Sequence, residues 1–351
     1  MKLSHQTIEL NPIHPFVIAR GGYSHHRNVI VRLTDDDGIE GYGEAAPNRY
    51  YGESVSTVIA ALGQFKPVLE RADPFSLESI ESHLNRVLRG NASAKGAVSS
   101  ALHDLVGKRL GLPVFRLWGL DASTTPESSF TIAIAENHEL EMRVAEARDY
   151  PILKIKLGTD RDMEIVRIVR GAAPKKRLRV DANAAWTAKH AVRMSDFLAE
   201  QGVEMIEQPV AANDIEGLRF VRKRSKLPVF ADESCLVATD IPKLAGAVDG
   251  INIKLAKCGS LREAMRMVHT ARAHDMQVMA GCMIESSLGI SAIGQIAPLL
   301  DAADFDGAAL LSADPFRGTT IASGIIKLSD APGLGVTPVT SGDLATAFQS
   351  A

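Results

Sequence analysis

Acidic and basic residues recur along the second half of this sequence at a nearly constant interval. The intervals are 25, 26, 25, 22 and 50 residues, and they separate Lys156, Asp181, Glu207, Asp232, Lys254 and Asp304. These residues stand within or just after short apolar runs. One β-strand, its loop and the crossover helix to the next parallel strand together need about 25 residues. The spacing therefore predicts a (β/α) barrel with functional side chains at the C-terminal ends of its strands.

The chain is longer than a barrel requires, because it has 351 residues and a barrel takes roughly 250. The first ~120 residues do not follow the interval. There, NVIVRLTDDDGIEGYGEA predicts an antiparallel hairpin, followed by helices around Ser54–Leu69, Leu77–Leu88 and Ala94–Leu110. We therefore predict an α/β fold with an α+β capping domain in residues 1–122 and a modified (β/α)7β TIM-type barrel in residues 123–320. Residues 321–351 are expected to return to the capping domain. Their first part, SGIIKLSDAPGLGVTP, is rich in Gly and Pro.

Composition and termini narrow the class of protein. A net charge of −3 gives no bias towards nucleic acid or an anionic membrane. No apolar stretch approaches the roughly 18 residues of a spanning helix, and MKLSHQTIEL lacks the apolar run of a signal peptide. Cys235, Cys258 and Cys282 have no CxxC spacing and predict free thiols. We expect a cytoplasmic protein that binds neither nucleic acid nor membrane, and the sequence is compatible with a homo-oligomer.

Side chains on a strand alternate between its two faces. In LKIKLG the aliphatic residues share the face that packs against helices, and the two lysines share the face that points into the barrel. In VFADES alternation selects Asp232, whereas Glu233 would face the helices or begin the loop. The inward residues predicted in this way are Lys154, Lys156, Asp181, Glu207, Asp232 and Lys254.

Three inward carboxylates, those of Asp181, Glu207 and Asp232, would repel one another unless a cation lay between them. An all-oxygen set of ligands suits Mg²⁺ and is compatible with Mn²⁺, whereas Zn²⁺ is disfavoured because no His or Cys joins the set. Lysines on both sides suit proton transfer. A bound cation and the ammonium of Lys154 would both favour the neutral amine of Lys156, which is the form that acts as a base.

Histidines are not expected to take part. His83, His103 and His190 fall on predicted helices and are predicted to lie at the surface. His25 and His26 fall in a loop of the capping domain and could touch substrate there, but solvated loop histidines are common and a solvated position is expected.

Several motifs resemble the muconate-lactonizing subgroup of the enolase superfamily. They are KIK (154–156), DAN (181–183), EQP (207–209), DES (232–234) and NIK (252–254), together with GYGEAAP and DLVGKRLGLPVFRLWG in the capping domain. The resemblance covers nearly the whole chain and implies a Lys base used with Mg²⁺. Members of the mandelate racemase type instead place a His at the seventh strand. Here that strand is followed by GCMIE, so the resemblance assigns the second base to Lys254.

Within this subgroup, Asp304-Phe305-Asp306 resembles the DxD signature of dipeptide epimerases. The two carboxylates would form a pocket for an ammonium group, which the N-terminus of a dipeptide supplies. Arg20, in ARGGY, resembles the arginine of the mobile capping loop in L-Ala-D/L-Glu epimerases and would meet the glutamate side-chain carboxylate. The remaining substrate contacts that the resemblance implies are Lys154, Thr131 and Cys282.

The resemblance implies a Mg²⁺-dependent isomerase that epimerises the C-terminal residue of a dipeptide, with L-Ala-D/L-Glu favoured and cell-wall peptide recycling as its setting. Lys156 and Lys254 would stand on opposite faces of the α-carbon. A dipeptide epimerase of different side-chain specificity remains an alternative. So does a muconate cycloisomerase or o-succinylbenzoate synthase of the same subgroup, which would use the same lysines for elimination. A non-catalytic binding protein with this fold is the third class.

Overall fold

The computed structural model describes residues 1–339 and 348–350. Its capping part contains a small two-stranded hairpin and a four-stranded antiparallel sheet flanked by helices, in which three N-terminal strands are joined at one edge by a C-terminal strand. The strands are β1 (Lys2–Leu10), β2 (Phe16–Ile18), β3 (Gly21–Tyr23), β4 (His26–Thr34), β5 (Glu40–Ala45) and β18 (Gln349–Ser350). The helices are α1 (Val55–Leu69), α2 (Leu77–Val87), α3 (Ala92–Leu110) and α4 (Val114–Leu117). The predicted hairpin and the three predicted helices are all present.

Local chemistry explains where these elements begin and turn. The side chain of Asp35 accepts the backbone N–H groups of Asp37 and Ile39, which closes the turn between β4 and β5. Ser54 caps α1 in a reciprocal capping box with Thr57. Strand β5 lies directly on α3, because a Cβ on Gly43 would overlap the backbone of that helix. This close approach fixes the strand that carries GYGEAAP.

The remainder of the chain forms an eight-stranded parallel sheet whose strands follow chain order. The strands are β6 (Phe130–Ile132), β7 (Ile152–Lys156), β8 (Arg177–Asp181), β9 (Val203–Glu207), β10 (Val229–Ala231), β11 (Gly250–Ile253), β12 (Gln277–Gly281) and β13 (Ala302–Asp304). A parallel bridge between Ser128 and Ala303, with a hydrogen bond from Ser129 N to Ala303 O of 3.1 Å, brings the last strand beside the first. The predicted (β/α)7β barrel with a capping domain is confirmed.

Helices connect the strands and pack on the outside of the barrel. They are α5 (Asn137–Glu146), α6 (Asp162–Ala172), α7 (Ala188–Glu200), α8 (Ile215–Arg224), α9 (Ile241–Leu244), α10 (Leu255–Cys258), α11 (Leu261–Ala273) and α12 (Ser287–Gly294). The apolar run FDGAAL in the sequence predicts the eighth strand at residues 305–310, and this prediction is wrong. The strand is the preceding Ala302–Asp304, so Asp304 ends it and Asp306 lies beyond it. Short strands follow, namely β14 (Phe316–Arg317), β15 (Thr320–Ala322), β16 (Ile325–Lys327) and β17 (Thr337–Pro338).

The capping elements contact the barrel at its C-terminal face. The carboxylate of Glu44 on β5 accepts the backbone N–H groups of Ser286 and Gly289 at the start of α12. The segment after the barrel also contacts the capping helices, since Leu334 N donates to Asp104 Oδ1 at 2.8 Å and Val114 N donates to Gly333 O at 2.9 Å. The boundaries at residues 122 and 320 stay predictions.

Two expectations about the chain as a whole can be compared with the fold. In the described residues, no helix combines the length and the apolar character needed to cross a bilayer. All three cysteines are free, as predicted.

His103 lies buried in α3, contrary to the surface position predicted for it, and its ring packs edge-on against Trp118.

Candidate active site

The barrel places the predicted functional side chains around one opening. Lys156 ends the second barrel strand, and Lys254 follows the sixth strand, so the two lysines lie four strands apart in a ring of eight. Asp181, Glu207 and Asp232 end or follow the third, fourth and fifth strands, between the lysines. The two lysines therefore approach the centre of the opening from opposite sides, with the carboxylates between them.

The three carboxylates form a compact cluster. Asp181, Glu207 and Asp232 are buried, and each offers an oxygen that lies within 4.8 Å of the others. Burial and the adjacent charge of Asp181 raise the pKa of Glu207 to about 7. An all-oxygen set at this spacing fits a hard divalent cation such as Mg²⁺, which would offset the mutual repulsion of the carboxylates.

Neighbouring groups fix the orientation of this cluster. Gln208, which follows Glu207 in the EQP motif, accepts the backbone N–H groups of Asp232 and Ser234 at 2.9 and 3.1 Å. Asn252 donates to Glu207 Oε1 at 2.7 Å. Because these partners occupy particular oxygens and backbone groups, the carboxylates are held before any ligand arrives.

Each candidate base is paired with one of these carboxylates. Lys156 Nζ lies 2.7 Å from Asp181 Oδ2, and Lys254 Nζ lies 2.7 Å from Asp232 Oδ2. Burial opposes the charged form of Lys254, but the carboxylates of Asp232, Glu207 and Glu233 together outweigh it and raise the pKa of this ammonium. Both lysines are thus held on the carboxylate cluster by equivalent contacts.

Lys154 has a different environment from the other two lysines. Its Nζ lies 2.6 Å from Asp304 Oδ2 and 2.7 Å from Glu207 Oε2, and its side chain is 1% exposed. Asp304 and Glu207 together outweigh the effect of burial and raise the pKa of Lys154. Because these carboxylates offset the charge of Lys154, its ammonium repels the ammonium of Lys156 less than the sequence suggested. Direct contact of Lys154 with substrate stays a prediction.

The two aspartates of the DxD motif also differ. Asp304 receives Lys154 on one oxygen and the hydroxyl of Ser129 on the other, at 2.8 Å. Asp306 accepts the backbone N–H of Thr131 at 2.5 Å, and within the described residues no cation forms an ion pair with it. Burial and the neighbouring Asp304 raise the pKa of Asp306 to about 7. Asp306 is therefore the member of the pair that can meet an incoming cation.

A cavity of about 710 Å³ opens above these groups, between the barrel mouth and the capping hairpin. Its volume is within the range of small-molecule sites. The predicted residues that line it are Lys156, Lys254, Asp232, Asp304, Asp306, Thr131, Cys282 and Arg20. Lys154, Asp181 and Glu207 are not among the lining residues and lie deeper in the barrel. Aromatic side chains complete the outer part of the cavity, namely Phe16, Tyr23, Tyr50 and Tyr51.

Arg20 reaches this cavity, but it already has partners there. Its guanidinium lies 2.8 Å from Glu233 Oε1, donates to Asn183 O at 2.7 Å and stacks on the ring of Tyr50, 4.3 Å from the centroid. Glu233 faces the cavity and begins the loop after the strand, which is the second of the two positions predicted for it. Strand β10 ends at Ala231, so alternation no longer applies to Asp232 and Glu233, and both carboxylates turn towards the cavity.

Sequence reasoning also missed Lys257, whose side chain is fully buried below the site. Its ammonium donates to Asp232 Oδ1 and to three backbone carbonyls, those of Asp232, Asn252 and Cys235. It stands three residues after Lys254, in LAKC. The sequence does show this second lysine soon after the strand end, but its contact with Asp232 depends on the turn that α10 makes.

Known protein families match both parts of the chain. Residues 4–119 match the family "Mandelate racemase / muconate lactonizing enzyme, N-terminal domain", and residues 137–341 match the family "Enolase C-terminal domain-like". The chain belongs to the enolase superfamily. The predicted resemblance is confirmed over both the capping domain and the barrel.

Relatives in the enolase superfamily are similar to this chain over nearly its whole length. It is 41% identical to L-Ala-D/L-Glu epimerase of Bacteroides thetaiotaomicron, over 96% of this chain and 88% of the relative. It is 40% identical to L-Ala-D/L-amino acid epimerase of a Maribacter species, over 96% and 98% of the two chains. Its fold matches the dipeptide epimerase of Cytophaga hutchinsonii complexed with Mg and D-Ala-L-Val, with a TM-score of 0.95, 28% identity and coverage of 99% and 98%.

Proposed function

We propose that this protein is a Mg²⁺-dependent isomerase that epimerises the C-terminal residue of a dipeptide. The observation that carries this proposal is the placement of Lys156 and Lys254 on opposite sides of one carboxylate cluster, beneath a cavity open to small molecules. Inverting a carbon centre requires removal of a proton from one face and addition of a proton to the other. Two opposed lysines can supply both.

The cavity offers partners for the charged ends of a dipeptide. The N-terminal ammonium would pair with Asp306, which forms no ion pair among the described residues. The C-terminal carboxylate would lie towards the cluster of Asp181, Glu207 and Asp232, which would hold the metal ion. When bound, Mg²⁺ supplies positive charge, which stabilises the negative charge developing on the substrate carboxylate and offsets the ligand carboxylates that favour the ammonium form of the lysines.

The lysines perform the proton transfers. One lysine, as a neutral amine, accepts the proton from the α-carbon, and the electron pair of the broken C–H bond stays on the substrate. The other lysine, as an ammonium, donates a proton to the opposite face, so that a new C–H bond forms with inverted configuration. Lys156 and Lys254 exchange these roles in the reverse direction, which makes the reaction reversible without an added reductant or oxidant.

The identity of the substrate is a finer part of the proposal. The names of the relatives support dipeptides that begin with L-Ala, and L-Ala-D/L-Glu is the leading candidate. Cell-wall peptide recycling in the cytoplasm is the setting that this substrate suggests. Elimination or cycloisomerisation by the same lysines is disfavoured, because Asp306 would face a substrate without a cation.

A dipeptide screen in D₂O tests the proposed function. Purified protein with Mg²⁺ is incubated with L-Ala-L-Glu, L-Ala-L-Gln, L-Ala-L-Leu and L-Ala-L-Lys, and the products are analysed by mass spectrometry and chiral chromatography. Epimerisation predicts one deuterium at the C-terminal α-carbon together with the D-epimer. The absence of deuterium with every dipeptide would refute the proposal and favour another reaction of the same subgroup.

A further inference from the structure

An ion pair between a partly exposed arginine and a buried glutamate, at the edge of the cavity, joins the capping hairpin to the barrel. Arg20 lies between β2 and β3, and Glu233 follows the fifth barrel strand. The two groups are 2.8 Å apart, and their side chains are 31% and 1% exposed respectively. Both residues line the cavity that holds the candidate lysines.

Arg20 is the direct ion-pair partner of Glu233, and Lys254 adds further positive charge nearby. Among the described residues, Arg20 is the only cation that forms an ion pair with Glu233 within 4.0 Å. Asp232 and Asp181 are nearby and add negative charge around the same carboxylate. A buried carboxylate in such surroundings is costly without a partner, so the pair is expected to persist while the hairpin covers the site.

The guanidinium of Arg20 is correspondingly engaged. One nitrogen, Nη1, donates to Asn183 O at 2.7 Å, another, Nη2, faces Glu233, and one face of the group stacks on Tyr50. A carboxylate on the substrate side chain would have to share this guanidinium with the carboxylate of Glu233. The two carboxylates would repel each other, which reduces the preference for an acidic side chain.

We infer that Glu233 is a specificity-determining residue of the proposed epimerase. Its carboxylate offsets the charge of Arg20, so the cavity accepts dipeptides with uncharged polar C-terminal side chains as well as acidic ones. This inference rests on the proposed function and extends it to the class of substrate. Asp306 selects the N-terminal ammonium, and the Arg20–Glu233 pair limits the selection for charge at the C-terminal residue.

The test compares L-Ala-L-Glu with L-Ala-L-Gln, which differ in charge but hardly in shape. The measured quantity is the ratio of their kcat/KM values. In wild type we expect a ratio below about 10. In Glu233→Gln the guanidinium loses its carboxylate partner, and the ratio should rise about tenfold in favour of L-Ala-L-Glu. Glu233→Asp, which keeps the charge, should leave the ratio within about threefold of wild type.

A double-mutant cycle separates the pair from general changes in charge. In the Arg20→Met background, Glu233→Gln should change the ratio by less than about twofold, because no guanidinium remains to be released. Circular dichroism and Mg²⁺ titration of each variant establish that it is folded and binds metal. An unchanged ratio in Glu233→Gln, or an equal change in the Arg20→Met background, overturns the inference.

The outcomes also distinguish this inference from the proposed function. If wild type epimerises either dipeptide but its ratio does not depend on Glu233, the inference alone is refuted. If wild type incorporates no deuterium into any dipeptide, both proposals are refuted together.

Discussion

At the scale of single residues, buried charges in the barrel mouth occur in pairs, and the exceptions suggest where a ligand binds. Lys156, Lys254 and Lys154 each contact a carboxylate within 2.7 Å. Asp306 is buried, accepts hydrogen bonds from Thr131 and, among the described residues, forms no ion pair. A buried carboxylate without a cation is unfavourable, so its position favours a binding role over a structural one.

The pH dependence of substrate capture follows from Asp306. Burial, together with the charge of Asp304, raises the pKa of this carboxyl group to about 7. Below that pH the group is protonated and neutral, so it no longer attracts the dipeptide ammonium. We predict that kcat/KM falls as the pH decreases through about 7. Steady-state kinetics between pH 5.5 and about 8, where the dipeptide amine still carries its proton, measure this effect.

The variant Asp306→Asn should remove this acidic limb and reduce kcat/KM about 10- to 100-fold at pH 7.5. An N-acetylated dipeptide should show a comparable loss in wild type, because it has no ammonium to pair with. Asp36→Asn, at an exposed position in the β4–β5 turn, serves as the matched control. Persistence of the same acidic limb in Asp306→Asn would exclude Asp306 as its origin.

The sequence identified most of these residues, and the misses have physical reasons. Alternation located Lys154, Lys156 and Asp181 because these residues lie inside regular strands. It left Glu233 either facing the helices or beginning the loop, and the residue lies in the loop because β10 ends two residues before it. The partner of Arg20 could not be predicted either, since it depends on how the capping hairpin lies over the barrel.

At the scale of elements, the close packing of β5 against α3 holds the capping sheet to its helices. Gly43 permits this contact, because a Cβ there would overlap the carbonyl oxygen of Ala97. Glu44 is the next residue and joins the same strand to the start of α12. The packing of one glycine thus helps to place a carboxylate that connects the two parts of the chain.

We predict that Gly43→Ala lowers the free energy of unfolding of the capping domain by about 3 kcal/mol, because the strand must move away from α3. The matched control is Gly63→Ala, where nothing lies within 4 Å of the added methyl group. Since Gly63 lies in the middle of α1, this control should gain about 0.5–1 kcal/mol. Urea denaturation followed by circular dichroism measures both changes, and wild-type stability in Gly43→Ala would contradict this account of the packing.

The presence of each helix and strand was more predictable than the residues at which it begins and ends. Periodic apolar runs gave every barrel strand except the last, where Asp304-Phe305-Asp306 attracted the prediction beyond the strand. The sequence also predicts a helix over Asp240–Ala247. The helix in the structure is shorter, Ile241–Leu244, and only its first and last residues are buried. Such ends depend on tertiary contacts that periodicity does not describe.

At the scale of the whole molecule, the order of strands in the barrel determines which groups face each other. Consecutive strands place the three carboxylates side by side, and the four-strand separation places the lysines opposite one another. The regular interval in the sequence corresponds to one strand and one connecting helix per repeat, so the barrel could be predicted. The contacts of the segment after residue 320 could not be predicted in detail, because they involve residues distant in sequence, such as Leu334 and Asp104.

The carboxylate cluster is the proposed site of the divalent cation, so we expect activity to depend on that cation. We predict that EDTA abolishes epimerisation and that added Mg²⁺ restores it, with Mn²⁺ as a substitute. Mg²⁺ should also raise the thermal unfolding midpoint, since it binds the folded chain only. Glu207→Gln should weaken both effects by removing one ligand. Full turnover in protein shown by elemental analysis to be free of metal would contradict the assigned site.

The central claim is that Lys156 and Lys254 transfer protons on opposite faces of one α-carbon. The most direct measurement is α-proton exchange in D₂O by Lys156→Ala and Lys254→Ala, using the L,L- and L,D-dipeptides separately, with the exposed Lys189→Ala as control. We predict that neither active-site variant epimerises, and that any remaining exchange is confined to one epimer in one variant and to the other epimer in the second. Lys156→Arg should fail as well, because a guanidinium is not a base near neutral pH. Near-wild-type epimerisation by either alanine variant, or exchange of the same epimer by both, would contradict the two-lysine mechanism.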